Sequence, residues 1–196
     1  MFHRDTLKLE KDERVREQTR YCDELKTLML GYCGLTHFPL QVLEKAGQVE
    51  KVTRLDLSQN YLTEISPRIS EFTNLRELWL CNNLTLNSLP LELQYVTRLE
   101  VLDLRYTNIS HLQKEFASLT NLNEVDWRDT PLELTLKAQG VEVNDVFALK
   151  ALLVALNERS ILEVFIVFHV FCSILVLVII MMIIMNTLPK LMSTND

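Results

Sequence analysis

The sequence has little of what metal sites, disulfides and catalytic centres need. Its four cysteines, Cys22, Cys33, Cys81 and Cys172, include no C-x-x-C pair, and its four histidines are scattered. Zinc sites gather their ligands at close spacing, so we expect no metal and no other cofactor. Unpaired cysteines also favour a reducing compartment. No P-loop, G-x-G-x-x-G, H-E-x-x-H or nucleophile-elbow motif is present, so we expect neither an enzyme nor a small-molecule substrate.

Runs of basic residues are also missing. The formal net charge is −6 and the pI is about 5.3. Nucleic-acid affinity depends on clustered Lys and Arg that neutralise phosphates. The composition therefore predicts no nucleic-acid partner.

The N-terminal segment, residues 1–24, has neither the apolar core of a secretory signal nor the acid-poor composition of an organellar transit peptide. Pairs of opposite charge four residues apart, such as Glu10 and Arg14, favour a helix. The segment has few apolar residues, of which Val15 is one, so such a helix would have little apolar surface to bury. Two interpretations stay open, a solvated or partner-bound helix and a mobile charged arm.

A leucine pattern repeats five times within residues 25–143. The repeats start 27, 23, 24 and 23 residues apart, at Leu25, Val52, Leu75, Leu99 and Leu122. Apolar residues follow three and five positions after each start. Three positions after the second of them stands an Asn, Cys or Thr: Cys33, Asn60, Asn83, Thr107 and Thr130. This is the pattern L-x-x-L-x-L-x-x-N/C/T-x-L of a leucine-rich repeat.

Such a repeat cannot bury its leucines alone, so neighbouring repeats stack into a continuous core. We expect an α/β leucine-rich-repeat solenoid in which five short parallel strands form one curved sheet. The strands should lie near Leu28, Leu55, Leu78, Leu102 and Val125.

The polar residue after each strand should satisfy backbone groups that the turn would otherwise leave unpaired. Cys33, Thr107 and Thr130 have fewer hydrogen bonds to offer than asparagine, so the asparagine ladder should be imperfect. The third repeat is one residue longer between Asn83 and Leu86, which predicts a local bulge.

The stretch LDLSQNYLTEISPRISEFTNLRELWL resembles the 23-residue repeats of intracellular leucine-rich-repeat proteins of the Ras-suppressor type. Thr130-Pro131-Leu132 is similar to the Asn-Pro-Leu of their closing segment, which a capping helix follows. The resemblance covers about residues 25–156. It implies recognition of a protein partner rather than catalysis, and it names no target.

Residues 164–185 contain no charge. As a helix these 22 residues would extend about 33 Å, enough for a hydrocarbon core of about 30 Å. We therefore predict one transmembrane helix in contact with membrane lipid. A capping and juxtamembrane helix over residues 144–163, capped by Asn144 or Asp145 and free of Gly and Pro, is expected to run into it without a break.

With residues 186–196 as a short tail, the pattern is that of a tail-anchored single-pass membrane protein with cytosolic repeats. The endoplasmic reticulum is favoured because the span is very apolar and its tail carries only Lys190, and a mitochondrial membrane is the alternative. His169 and Ser173 lie one turn apart in the span. They are interpreted either as a packing or headgroup contact, or as a histidine that reaches up to the interface.

Residues beside the inward leucines should face the concave surface. The predicted partner-binding residues are Arg54, Asp56, Glu77, Trp79, Asp103, Arg105, Tyr106, Asp126 and Arg128. A tryptophan among charges is typical of an interface anchor, so we expect a protein partner with a basic and apolar element. The sequence thus predicts a membrane-anchored recognition scaffold. The alternative is an accessory structural subunit of a multi-protein membrane complex of the respiratory or translocation type.

Overall fold

A computed structural model describes Val15 and the residue ranges 26–39 and 49–159. The chain divides into two units, Met1–Val154 and Ala155–Asp196. Within the second unit the described residues, 155–159, are helical. None of the described helices is both long and apolar enough to cross a bilayer. The predicted span at 164–185, with His169 and Ser173, lies outside the described residues.

Five three-residue strands form one sheet in the first unit, ordered as they occur in the chain. Every neighbouring pair is parallel. The strands are β1 (Thr27–Met29), β2 (Arg54–Asp56), β3 (Glu77–Trp79), β4 (Val101–Asp103) and β5 (Glu124–Asp126). The predicted five-stranded parallel sheet is confirmed.

The central residue of each strand points into the core. Leu28, Leu55, Leu78, Leu102 and Val125 are in register across the sheet and almost fully buried. Because successive strand residues point to opposite sides, the residues beside them face the concave surface.

The chain returns behind the sheet through three 3₁₀ helices that the sequence did not predict: Pro67–Glu71, Leu91–Tyr95 and Lys114–Ser118. Each places one apolar side chain fully in the core, namely Ile69, Leu93 and Phe116. This second layer forms the convex side.

Asparagine joins the second and third repeats to the repeats before them. Asn60 Nδ2 donates to Leu30 O at 2.9 Å and to Leu57 O at 2.8 Å, and Asn60 Oδ1 accepts from Leu35 N at 2.9 Å. Asn83 repeats this arrangement one repeat later. It donates to Leu57 O and Leu80 O and accepts from Leu62 N.

The ladder is imperfect where the sequence predicts it. The Thr107 hydroxyl donates to Leu104 O of its own repeat at 2.7 Å. Leu86 N, which an asparagine at position 107 would have paired, donates instead to Asn83 O at 3.0 Å. The extra residue of the third repeat makes this turn possible, and Leu84 points outward with 72% exposure. The turn at the predicted bulge thus gives Leu86 N a backbone acceptor, in place of the side-chain acceptor that Thr107 does not provide.

Two helices end the repeats. Helix α1 (Pro131–Lys137), which the sequence did not predict, starts at Thr130, whose hydroxyl accepts from Glu133 N at 3.3 Å. A second helix occupies residues 146–159. Its N-cap is Asp145, which accepts from Ala148 N at 2.8 Å, in agreement with the predicted cap.

Val15 is helical and fully buried in the core cluster. This side chain contributes to the packed core, and the rest of residues 1–24 lies outside the described residues.

Candidate functional site

The concave surface consists of two rows of side chains that cross the strands. The central row, at the end of each strand, is in register: Met29, Asp56, Trp79, Asp103 and Asp126. The second row stands two residues later: Gly31, Ser58, Cys81, Arg105 and Arg128. Asp56, Trp79 and Asp103 therefore lie side by side on three neighbouring strands.

A left-handed residue follows the second row in every repeat. These residues are Tyr32, Gln59, Asn82, Tyr106 and Asp129, with φ between 54° and 59°. Non-glycine residues adopt this conformation rarely, and here it recurs wherever the chain turns off the sheet. The turn leaves Tyr106 45% exposed and Tyr32 69% exposed.

Arg54 covers Trp79. The Arg54 guanidinium carbon lies 4.3 Å from the Trp79 ring centroid, a cation–π contact, and Arg54 Nε lies 2.6 Å from Glu77 Oε2. Because Arg54 Nε has no aligned hydrogen bond, the contact with Glu77 is an ion pair. The indole N–H of Trp79 is buried and has no hydrogen-bond partner in the described structure. One face of the expected anchor is therefore occupied by a side chain of this protein.

Two Asp-x-Arg units fill the other half of the surface. Asp103 accepts from Arg105 Nε at 3.0 Å and from Arg105 Nη2 at 2.7 Å. Asp126 accepts from Arg128 Nε at 3.0 Å and from Arg128 Nη2 at 2.6 Å. Arg105 Nε also lies 3.4 Å from Asp126 Oδ2, so the two units are joined into one network.

The exposures of these groups are unequal. The side chains of Asp103 and Asp126 are 11% and 14% exposed, whereas those of Arg105 and Arg128 are 38% and 51% exposed. Asp56 is also buried and accepts from Ser58 N at 2.8 Å. The chain itself thus occupies these carboxylates, since Asp103 pairs with Arg105 and Asp56 accepts from the backbone of Ser58.

The paired charges of the network shift the pKa values of three of its groups towards the ionised forms. Burial raises the pKa of Asp126, but hydrogen bonds from the Arg128 side chain and backbone outweigh it and lower the pKa below its usual value. The hydrogen bond with Asp103 raises the pKa of Arg105, and the one with Asp126 raises that of Arg128. Asp126, Arg105 and Arg128 therefore stay ionised at neutral pH.

Cys81 stands in the second row beside this network. Burial, followed by the charge of Asp103, raises the pKa of its thiol. A thiol attacks as its thiolate, so this environment opposes nucleophilic chemistry at neutral pH. In the described ranges no group of His, Cys, Asp or Glu is arranged to hold a metal ion.

The other sequence-predicted residues lie on the same surface. The hydrogen bond to Asp129 raises the pKa of Tyr106. Met29 and Tyr32, which the predicted site left out, are 48% and 69% exposed at the first repeat. The D-x-R spacing at 103–105 and 126–128 was the signal for the paired units, and it is visible in the sequence. His169 and Ser173 lie outside the described residues.

One segment of the chain matches a described family. Residues 51–72 match the family model described as Leucine Rich Repeat. This segment is a leucine-rich repeat. The chain is similar to an adenylate cyclase of Schizosaccharomyces pombe, 35% identical over 108 residues. That match covers 54% of this chain and spans 6% of the cyclase. A solved leucine-rich-repeat protein of Leptospira interrogans is 26% identical over 50% of this chain and 29% of its own, with a TM-score of 0.36.

The matched repeat contains β2, and the same pattern and strand register recur at the other four strands. The fold is thus of the leucine-rich-repeat type, with five parallel strands in one sheet. Domains of this type generally act in protein–protein recognition.

Proposed function

We propose that this protein is a membrane-anchored recognition scaffold that binds a protein partner on its concave surface. The observation that carries the proposal is the paired arginine network, which holds charged groups in fixed positions on an open face. Pre-ordered side chains lose little rotamer freedom on binding, so such a surface favours recognition. The 23-residue spacing supports repeats of the intracellular Ras-suppressor type. The raised pKa of Cys81 supports a role other than catalysis.

The concave surface is tested by purification of the full chain from its native membrane in mild detergent, with identification of co-purifying proteins. Trp79→Ala removes the ring that supports Arg54. It should reduce partner recovery more than about thirty-fold, because a central tryptophan commonly contributes about 2 kcal/mol or more. Lys114→Ala, on the convex 3₁₀ helix, is the control and should leave recovery unchanged. Unchanged recovery with Trp79→Ala would overturn the concave site.

The membrane anchor is proposed from the 22 uncharged residues 164–185. With cytosolic repeats, protease added to intact vesicles should digest residues 26–159 and spare a small fragment that contains 164–185. A glycan on Asn108, an exposed sequon residue, would reverse the orientation. Asn83, the other sequon asparagine, is fully buried and cannot report on it. We propose the endoplasmic reticulum as the location and the mitochondrial membrane as its rival, and imaging separates them.

An accessory subunit of a multi-protein membrane complex is the second candidate. One observation favours it. The helix at 146–159 buries Val146, Leu149 and Leu153, while Phe147 and Val154, seven residues apart and on a common face outside the core, are 86% and 42% exposed. A permanent neighbour would cover them.

The stability of the purified protein separates the two roles. A subunit aggregates without its complex, whereas a scaffold remains monodisperse. Deletion of Met1 to Arg20 is not a clean test of partner binding, because it removes the buried Val15 from the core.

A further inference from the structure

The paired arginines determine which groups a partner meets on the concave surface. We infer that Arg105 and Arg128 form a receptor for a carboxylate-bearing segment of the protein partner. This inference rests on the proposed function and gives the partner's chemistry, which is the opposite of the basic element that composition suggests.

Each guanidinium is held by one edge. A guanidinium has five N–H donors, and the aspartate two residues earlier accepts from Nε and from Nη2. The Nη1 groups of Arg105 and Arg128 make no hydrogen bond within the described part of the chain. Two donors on each Nη1 therefore remain for a ligand.

The two arginines act together. They stand at the same position of neighbouring repeats, and Tyr106 N donates to Arg128 O at 3.3 Å. Neighbouring strands lie about 4.8 Å apart, which brings both arginines within reach of one carboxylate or of adjacent acidic side chains. Both contact Asp126, which fixes their separation.

The exposure of the arginines and aspartates determines which charge the contacting groups of the partner should carry. The arginines are 38% and 51% exposed, whereas the aspartates beneath them are 11% and 14% exposed. A ligand thus meets N–H donors before carboxylates. Among the described residues, four other carboxylates stand on the concave side: the buried Asp56, Glu77, which is paired with Arg54, Glu124 in the row before the central one, and Asp129, which is engaged with Tyr106.

The experiment uses the full chain in uncharged detergent micelles and two dye-labelled peptides of equal length, hexaglutamate and hexalysine. Fluorescence anisotropy at low salt gives the two Kd values. The chain carries a net charge of −6, so overall electrostatics alone favours hexalysine. The inference predicts the reverse order, with hexaglutamate at least about ten-fold tighter and weakened by salt.

Three variants assign the binding to the site. Arg105→Gln with Arg128→Gln should weaken hexaglutamate about ten-fold or more. The control is Arg68→Gln with Arg98→Gln, which changes the net charge equally. Arg68 is also 51% exposed and makes the same kind of fork, with Glu71, on the convex side. This control should bind hexaglutamate as the native chain does.

The third variant replaces both units with neutral amides: Asp103→Asn, Arg105→Gln, Asp126→Asn and Arg128→Gln. It keeps the net charge and leaves no unpaired carboxylate, and circular dichroism confirms its fold. It should also lose hexaglutamate binding. The inference would be overturned if hexalysine bound more tightly than hexaglutamate, or if neither peptide bound. It would also be overturned if the convex control lost as much hexaglutamate binding as the double arginine variant, or if the neutral variant kept that binding. Recognition on the concave surface is judged separately by recovery of the native partner with Trp79→Ala.

Discussion

Asn83 shows how one side chain joins two repeats. It is fully buried, and its amide pairs with the backbone at Leu57, Leu62 and Leu80. Asn83→Ala leaves two buried backbone groups unpaired, Leu62 N and Leu80 O, whereas Leu57 O keeps its hydrogen bond from Asn60. Each such group costs about 1–3 kcal/mol, so the free energy of unfolding should fall by about 2 kcal/mol or more.

Urea unfolding of the full chain in micelles measures this loss. Asn123→Ala is the control, because Asn123 is an exposed asparagine in a neighbouring turn, and it should change the free energy by less than about 0.5 kcal/mol. A similar effect of both substitutions would refute the role of the asparagine ladder.

Arg54 shields the Trp79 ring, and fluorescence can detect this. Trp127 is fully buried, so emission that acrylamide quenches comes from Trp79. Arg54→Gln removes the guanidinium that stands 4.3 Å from the ring and should increase quenching and shift the emission to the red. Arg68→Gln, on the convex side, should change neither. Unchanged emission in Arg54→Gln would mean that the cation–π contact does not persist in solution.

Asp126 makes stability depend on pH. Its pKa is lower in the folded chain than the unfolded value of about 3.9, so its pairing with Arg128 stabilises the fold fully above that value. The contribution is lost as pH falls through the folded-state pKa. The native chain should therefore be more stable than Asp126→Asn at pH 6, and the difference should shrink towards pH 2. Urea midpoints at successive pH values measure it, and a constant difference would contradict the assignment.

At the scale of elements, stability comes from the stacked leucine of each strand. Leu102 is 1% exposed and in register with Leu78 and Val125. Leu102→Ala should lower the free energy of unfolding by about 2–5 kcal/mol, since it leaves a cavity between three repeats. Thermal unfolding compares it with Leu84→Ala, which truncates a side chain that is 72% exposed. Comparable losses in both variants would contradict the stacking account.

The strands could be predicted from the sequence because a strand of this fold is two leucines at fixed spacing. The convex 3₁₀ helices could not, because five residues such as Pro67–Glu71 are too short to show a helical period. Helix α1 was missed for the same reason, although Thr130 and Pro131 are a recognisable helix start.

The candidate site, too, could be predicted from the sequence only in part. Position on the concave face follows from strand alternation, so Trp79, Arg105 and the aspartates were placed correctly. Their pairing does not follow, because it depends on side-chain directions across neighbouring strands. The composition of the face suggested an acidic surface, whereas burial of Asp103 beneath Arg105 leaves the arginine outermost.

At the scale of the whole molecule, the repeats provide a curved surface with two distinct sides. The concave side carries fixed charges and the exposed Tyr106, and the convex side carries the 3₁₀ helices and the exposed Tyr95. If the concave side recognises the partner, a partner in the native membrane should contact Tyr106 and not Tyr95.

Site-specific photo-crosslinking in the native membrane tests this most directly. Benzoylphenylalanine replaces Tyr106 in one variant and Tyr95 in the other, two tyrosines that are 45% and 64% exposed. Both variants receive the same irradiation. The account predicts a discrete adduct with a partner protein from position 106 and none from position 95. An adduct from position 95 with none from position 106 would contradict it.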